Sequence, residues 1–178
     1  MFLIDLENLR SGSYRAGGTL EVSELGFKNE ADFNFSGPLG LDLRISTTDK
    51  LTFYVSGQVR FRVSGECRRC LKAVFQHQTT EVKGVFAFPE ALEKLNLSEE
   101  EQETEGIFPL EQDEKQIDLT GLVRECVVLD YPHYLLCSDD CKGLCPNCGA
   151  DLNLEPCNCE QKSIDLRWEK LLKLNKNE

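Results

Sequence analysis

The sequence predicts an α+β protein. A β-rich N-terminal half, a twisted antiparallel sheet or partial barrel, precedes a central helix and a cysteine-rich, zinc-binding C-terminal lobe. Three observations carry this reading. Residues 51–64 alternate apolar and polar side chains without a break. Residues 119–127 space apolar side chains as a helix does. Eight of the nine cysteines fall into four close pairs, three of them beyond residue 136. The expected organisation is a β half over 1–89, an acidic mobile loop over 90–116, and a helix, metal lobe and terminal helix over 117–178.

The alternation is the clearest strand signal. Leu51, Phe53, Val55, Gly57, Val59, Phe61 and Val63 take one side, and Thr52, Tyr54, Ser56, Gln58, Arg60, Arg62 and Ser64 the other. Successive side chains of a strand point to opposite faces, so the first set meets a core and the second meets water. Gly57 is expected to mark a bulge or bend that helps close the sheet. Leu41, Leu43 and Ile45 repeat the alternation over a shorter stretch, and residues 72–88 are expected to return beside 51–64. Between them lies Cys67-Arg68-Arg69-Cys70. A C-x-x-C at a hairpin tip aims two thiolates at one point and supplies half of a four-ligand site.

Residues 90–114 hold ten acids against one base, Lys94, and carry −9 of the chain's −11. A short helix near 90–96 is the alternative there, but the composition favours a solvated, mobile loop. The next element starts at Asp118, a suitable N-cap. Leu119, Leu122, Val123, Cys126 and Val127 then mark one buried helical face, and Pro132 stops the helix. A final short helix is expected from Asp165, carrying Leu166, Trp168, Leu171 and Leu172.

Cys137, Cys141, Cys145, Cys148, Cys157 and Cys159 complete the pairs. With Cys67 and Cys70 they make eight thiolates, enough for two tetrahedral four-cysteine zinc sites. In the preferred grouping Cys67, Cys70, Cys137 and Cys141 share one metal, and Cys145, Cys148, Cys157 and Cys159 the other. The alternative gathers Cys137, Cys141, Cys145 and Cys148. Cys126 lies on the apolar helical face and is assigned to the core. The opening residues lack the basic segment of a secretory signal, and no apolar run approaches the roughly 18 residues of a membrane span. Clustered thiols in a reducing compartment read as metal ligands rather than disulfides.

The bases beside the first pair have two readings. Arg68, Arg69, Lys72 and Lys142 can offset thiolate charge. Alternatively Arg60, Arg62, Arg68, Arg69 and Lys72, near Tyr54, form a small surface for phosphate or an acidic partner. Catalysis is not expected. A catalytic zinc keeps one position open and uses His or carboxylate ligands, whereas every clustered ligand here is Cys. His77 and His133 lack metal-ligand spacing, and the sequence holds no phosphate loop or nucleophile elbow.

Cys67-Arg68-Arg69-Cys70-Leu71, Ile117-Asp118-Leu119, Val123-Arg124-Glu125 and the run Leu136-Cys137 to Cys148-Gly149 follow one another in a specific order. On these residues the chain resembles the YceD family, the large ribosomal RNA subunit accumulation proteins. Asp151-Leu152-Asn153, Cys157-Asn158-Cys159 and Asp165-Leu166-Arg167-Trp168 complete the resemblance. It implies a role in accumulation or processing of large-subunit (23S) ribosomal RNA, in the cytoplasm or, for plant relatives, the chloroplast stroma. The expected partners are precursor ribosomal RNA or a large-subunit ribosomal protein, the latter because the acidic segment 90–114 suits a strongly basic partner, with no membrane and no small-molecule substrate. A metal-dependent RNA-processing enzyme or a thiol-redox protein is the competing expectation.

Overall fold

A computed structural model describes residues 1–9, 12–27, 33–95 and 98–159. The chain runs β1 (Leu3–Asp5), β2 (Ser13–Leu20), β3 (Leu39–Thr47), β4 (Thr52–Glu66), β5 (Ala73–Ala87), α1 (Pro89–Leu95), α2 (Glu99–Thr104), β6 (Ile107–Pro109), β7 (Gln116–Asp118) and α3 (Thr120–Leu129). The α+β class is as expected. Strands β2-β3-β4-β5-β6 form one open sheet, antiparallel except for β6, which runs parallel to β5. β1 pairs separately with β7.

The alternating segment becomes β4, the middle strand. Phe53, Val55, Val59, Phe61 and Val63 are buried, while Tyr54, Ser56, Gln58, Arg60 and Arg62 are exposed. β4 and β5 pair without interruption from Thr52↔Ala87 to Glu66↔Ala73. Gly57 is not a bulge. It stands opposite Leu43, and the register continues evenly on both sides. Its φ is 153°, and a Cβ there would collide with the Asp42 carbonyl oxygen and lie 2.8 Å from Leu43 Cα. Glycine is needed for the close approach of β3 rather than for an extra residue.

α3 covers the inner face of the sheet. Leu119, Leu122, Val123 and Val127 are buried, and Leu122 occupies the space left by the missing side chain of Gly84. Cys126 packs at the edge of this core. Asp118 does not cap α3; it closes β7, and its carboxylate accepts the Thr120 amide at 2.9 Å, leaving Leu119 as the N-cap.

The acidic segment 90–116 is not one loop. It contains most of α1, all of α2 and β6, and the first residue of β7, and Leu110 is buried. α1 is the short helix weighed near 90–96; the composition concealed the rest because the apolar residues that dock there, Phe108 and Leu110, are few and set among acids. The expected terminal helix from Asp165 lies outside the described residues. Among the described residues no helix is long and apolar enough to cross a membrane.

Candidate metal centre

The β4–β5 hairpin presents the first two thiols. At its tip the Leu71 amide donates to the Cys67 carbonyl at 2.9 Å, and the Cys67 amide to the Lys72 carbonyl at 2.8 Å. Leu71 adopts φ 60°, a left-handed conformation that returns the chain into β5. Residues beyond α3 then pass alongside: Cys67 bridges to Leu135, and the Arg68 amide donates to the Leu135 carbonyl at 2.9 Å. This brings Cys137 and Cys141 to the tip.

Two groups of four thiols result. The sulfurs of Cys67, Cys70, Cys137 and Cys141 all lie within 4.8 Å of one another, as do those of Cys145, Cys148, Cys157 and Cys159. This is the preferred of the two groupings weighed above. Sulfurs at the corners of a tetrahedron, each roughly 2.3 Å from a central zinc, stand about 3.8 Å apart. Cys67 and Cys141 are 3.8 Å apart, and Cys70 and Cys137 3.5 Å. The donor set therefore fits a metal that takes four sulfurs. Cys67, Cys70 and Cys141 are buried against Val74, Leu136 and Leu144, so the first site is largely shielded from water.

The electrostatics point the same way. Burial alone would raise the Cys67 thiol, but the amides of Cys137, Cys70 and Arg69 hold it down at about 6. Cys137 is pushed up to about 12, because its proton is held by the Cys141 and Cys70 sulfurs. The second site repeats the pattern. The amides of Cys148 and Asn147 lower Cys145 to about 6, and the Cys148 sulfur pushes Cys159 up to about 12. Cys67 and Cys145 are thus the readily ionised sulfurs, while Cys137 and Cys159 give up their protons only beside a cation. In the second site the Asn147 amide points at Cys145 Sγ from 3.4 Å, and Gly149, at φ 75°, turns the chain behind it.

The lobe is strapped to the hairpin by side chains. Arg69 Nη1 donates to the carbonyls of Asp139 and Cys141, both at 2.9 Å. Lys72 Nζ lies 2.6 Å from Asp151 Oδ2, off the hydrogen-bonding direction, so the contact is an ion pair more than a directed bond. Asn153 Nδ2 reaches Cys141 Sγ at 3.5 Å, and Asn153 Oδ1 accepts the Lys142 amide at 2.7 Å. Of the five bases proposed as a partner surface, Arg69 and Lys72 hold the lobe, Arg68 is exposed at the tip, and Arg60 and Arg62 stand on the outer face of β4. Cys126 belongs to neither thiol group. His77 and His133 are exposed and join neither group. The roles of Asp151 and Asn153 were not read from the residues; a D-x-N turn set between two cysteine pairs is the signal that could have shown them.

Residues 55–175 match a known family, described as large ribosomal RNA subunit accumulation protein YceD. An uncharacterized protein of Mycobacterium tuberculosis is 33% identical over 136 residues, 76% of this chain and 61% of that protein. One of Mycobacterium leprae is 32% identical over 139 residues, covering 77% of this chain and 59% of the relative. An Arabidopsis thaliana protein, named large ribosomal RNA subunit accumulation protein YCED homolog 1, chloroplastic, is 37% identical over 51 residues, 29% of this chain and 16% of its own length. The chain thus spans about three fifths of the mycobacterial relatives it matches. No solved structure matches it.

Proposed function

Since the chain belongs to the YceD family of large ribosomal RNA subunit accumulation proteins, we propose that it is a non-enzymatic ribosome biogenesis factor that supports accumulation of large-subunit (23S) ribosomal RNA. In this reading it carries two structural zinc ions and acts in the compartment where that RNA is made, the cytoplasm or, in plants, the chloroplast stroma. It binds the precursor RNA or a basic large-subunit ribosomal protein.

The observation that carries the non-catalytic reading is the closed donor set. Each group offers four thiols around one point, and a catalytic metal keeps a position for water or substrate. Zinc is the ion that such sets hold without redox chemistry; iron is the other metal suited to four sulfurs. The name of the plant relative supports the ribosomal role. The ten acids of 90–114 suit a basic ribosomal protein as one partner class.

Two measurements test this. Metal analysis of fully reduced protein should find two zinc ions per chain; one per chain refutes the grouping. Deleting the gene should lower large-subunit relative to small-subunit ribosomal RNA, with restoration by the wild-type chain. An unchanged ratio overturns the ribosomal role, and cleavage of precursor RNA by the purified protein overturns the non-enzymatic one.

A further inference from the structure

The outer face of the five-stranded sheet is covered by no element among the described residues. The strand register places its side chains in rows. Arg15, Arg44, Ser56 and Lys83 cross four strands in one row, and Gly17, Asp42, Gln58 and Glu81 form the next. Arg60 follows between Gly40 and Thr79, then Arg62 beside His77. Asp42 is held by Arg15 through two bonds of 2.9 and 2.8 Å, and Glu81 by Lys83 at 2.7 Å. Those pairs offset one another, so Arg44, Arg60 and Arg62 leave this stretch of the face positive in a chain of net charge −11. Two aromatic rings flank the bases on the same face: Tyr54, 49% exposed, and Phe75, 67% exposed. From Tyr54 to Phe75, which stands opposite Ser64, the face extends roughly 33 Å along β4. A shallow depression of 520 Å³ lies among Arg15, Arg44, Gln58 and Lys83.

We propose that this face is a single-stranded RNA-binding surface, with Arg44, Arg60 and Arg62 on phosphates and Tyr54 and Phe75 stacking on bases. The inference rests on the ribosomal reading above and selects RNA as the direct partner. An acidic protein would also meet the arginines, but a single strand uses the rings along the whole strip as well, one base stacked on each. Rings spaced along a basic groove are how single strands are held without sequence preference. Arginine, which predominates over lysine here, pairs with phosphate through a planar fork and also stacks on bases. A duplex would leave the rings unused because its bases are already stacked.

The test uses the full metal-loaded chain and a 12-nucleotide single-stranded oligouridylate, with binding read by fluorescence anisotropy across a salt series. The variant Arg44→Ala/Arg60→Ala/Arg62→Ala should bind at least tenfold more weakly at low salt. Its plot of log affinity against log salt should flatten by about 2, since each single-strand phosphate contact contributes roughly 0.7. Tyr54→Ala/Phe75→Ala should lose at least about thirtyfold with an unchanged slope. Lys94→Ala, an exposed base on α1, should bind as wild type, and an equal loss there would overturn the assignment to this face. All substituted residues are exposed; melting and metal content check that each variant is folded, and Arg44→Lys/Arg60→Lys/Arg62→Lys should restore the salt slope. Equal affinity and slope in the triple alanine variant overturn the inference. So does binding of a polyglutamate peptide or a duplex in preference to the single strand, or no RNA binding by the wild type. The ribosomal reading survives those results if gene deletion still lowers large-subunit RNA.

Discussion

Asn153 ties the turn between the second site's two cysteine pairs to a ligand of the first site. Its amide and Nδ2 donate to Asp151 Oδ1 at 2.9 and 2.7 Å, while the same Nδ2 lies 3.5 Å from Cys141 Sγ. Groups that hydrogen-bond to metal ligands commonly contribute 10–100-fold in metal affinity. Asn153→Ala should therefore release one of the two metals to a chelator about tenfold faster, measured with a chromophoric chelator, and leave the other unchanged. Asp151 is held at about 2 by Lys72 and by Asn153. Its folded value lies below the unfolded one near 3.9, so its contribution is fully present above pH ~4 and disappears only as pH falls through about 2. Metal lost on acidification to pH 5 should thus follow protonation of thiolates, with the Lys72 ion pair intact. Cys126 was legible as core from its helical phase alone. Cys126→Ala should keep both metals and change stability by about 1 kcal/mol or less. The tethering roles of Arg69 and Lys72 were not legible, because their partners lie some seventy or more residues away and meet them only after the lobe folds back.

Among the elements, β4 was legible because it is half-buried, and a half-buried strand records both of its environments in its sequence. β2 was not legible: Ser13–Leu20 has two glycines and buries only Ala16 and Leu20. β6 is three residues long, ends at Pro109, and pairs in parallel with the end of β5, so neither length nor alternation announces it. The β3–β4 contact depends on Gly57. Gly57→Ala combines a backbone conformation that side chains rarely adopt with overlap onto β3. Each of those effects costs about 1–3 kcal/mol. The variant should unfold at a visibly lower temperature in the metal-loaded state, by roughly 5–15 °C for a chain of this size.

At the level of the whole molecule, the apolar core and the metal lobes are separate sources of stability. The large core cluster contains no metal-site cysteine, and the first site has its own small cluster. A structural metal supplies on the order of 10 kcal/mol to the segment it closes. Chelation should therefore leave the sheet's far-ultraviolet signal largely in place while residues 137–159 become open to protease. Protection of those residues in metal-free protein would show that the lobe folds without metal. The four pairs were legible because the spacing within each is local; the grouping followed because the last two pairs lie close enough to close one site, leaving Cys137 and Cys141 for the distant Cys67 and Cys70. The open basic face was legible in part: the alternation of β4 shows Arg60, Arg62 and Tyr54 on one side, whereas Arg44 on β3 and Phe75 on β5 join them only through the register. The first site also has a consequence in time. Its ligands Cys67 and Cys141 are 74 residues apart. A ribosome adding 5–20 residues per second makes the second half of this site roughly 4–15 s after the first. During that interval the hairpin exposes two unpartnered thiols, and closure of the site signals that the chain has been made through residue 141.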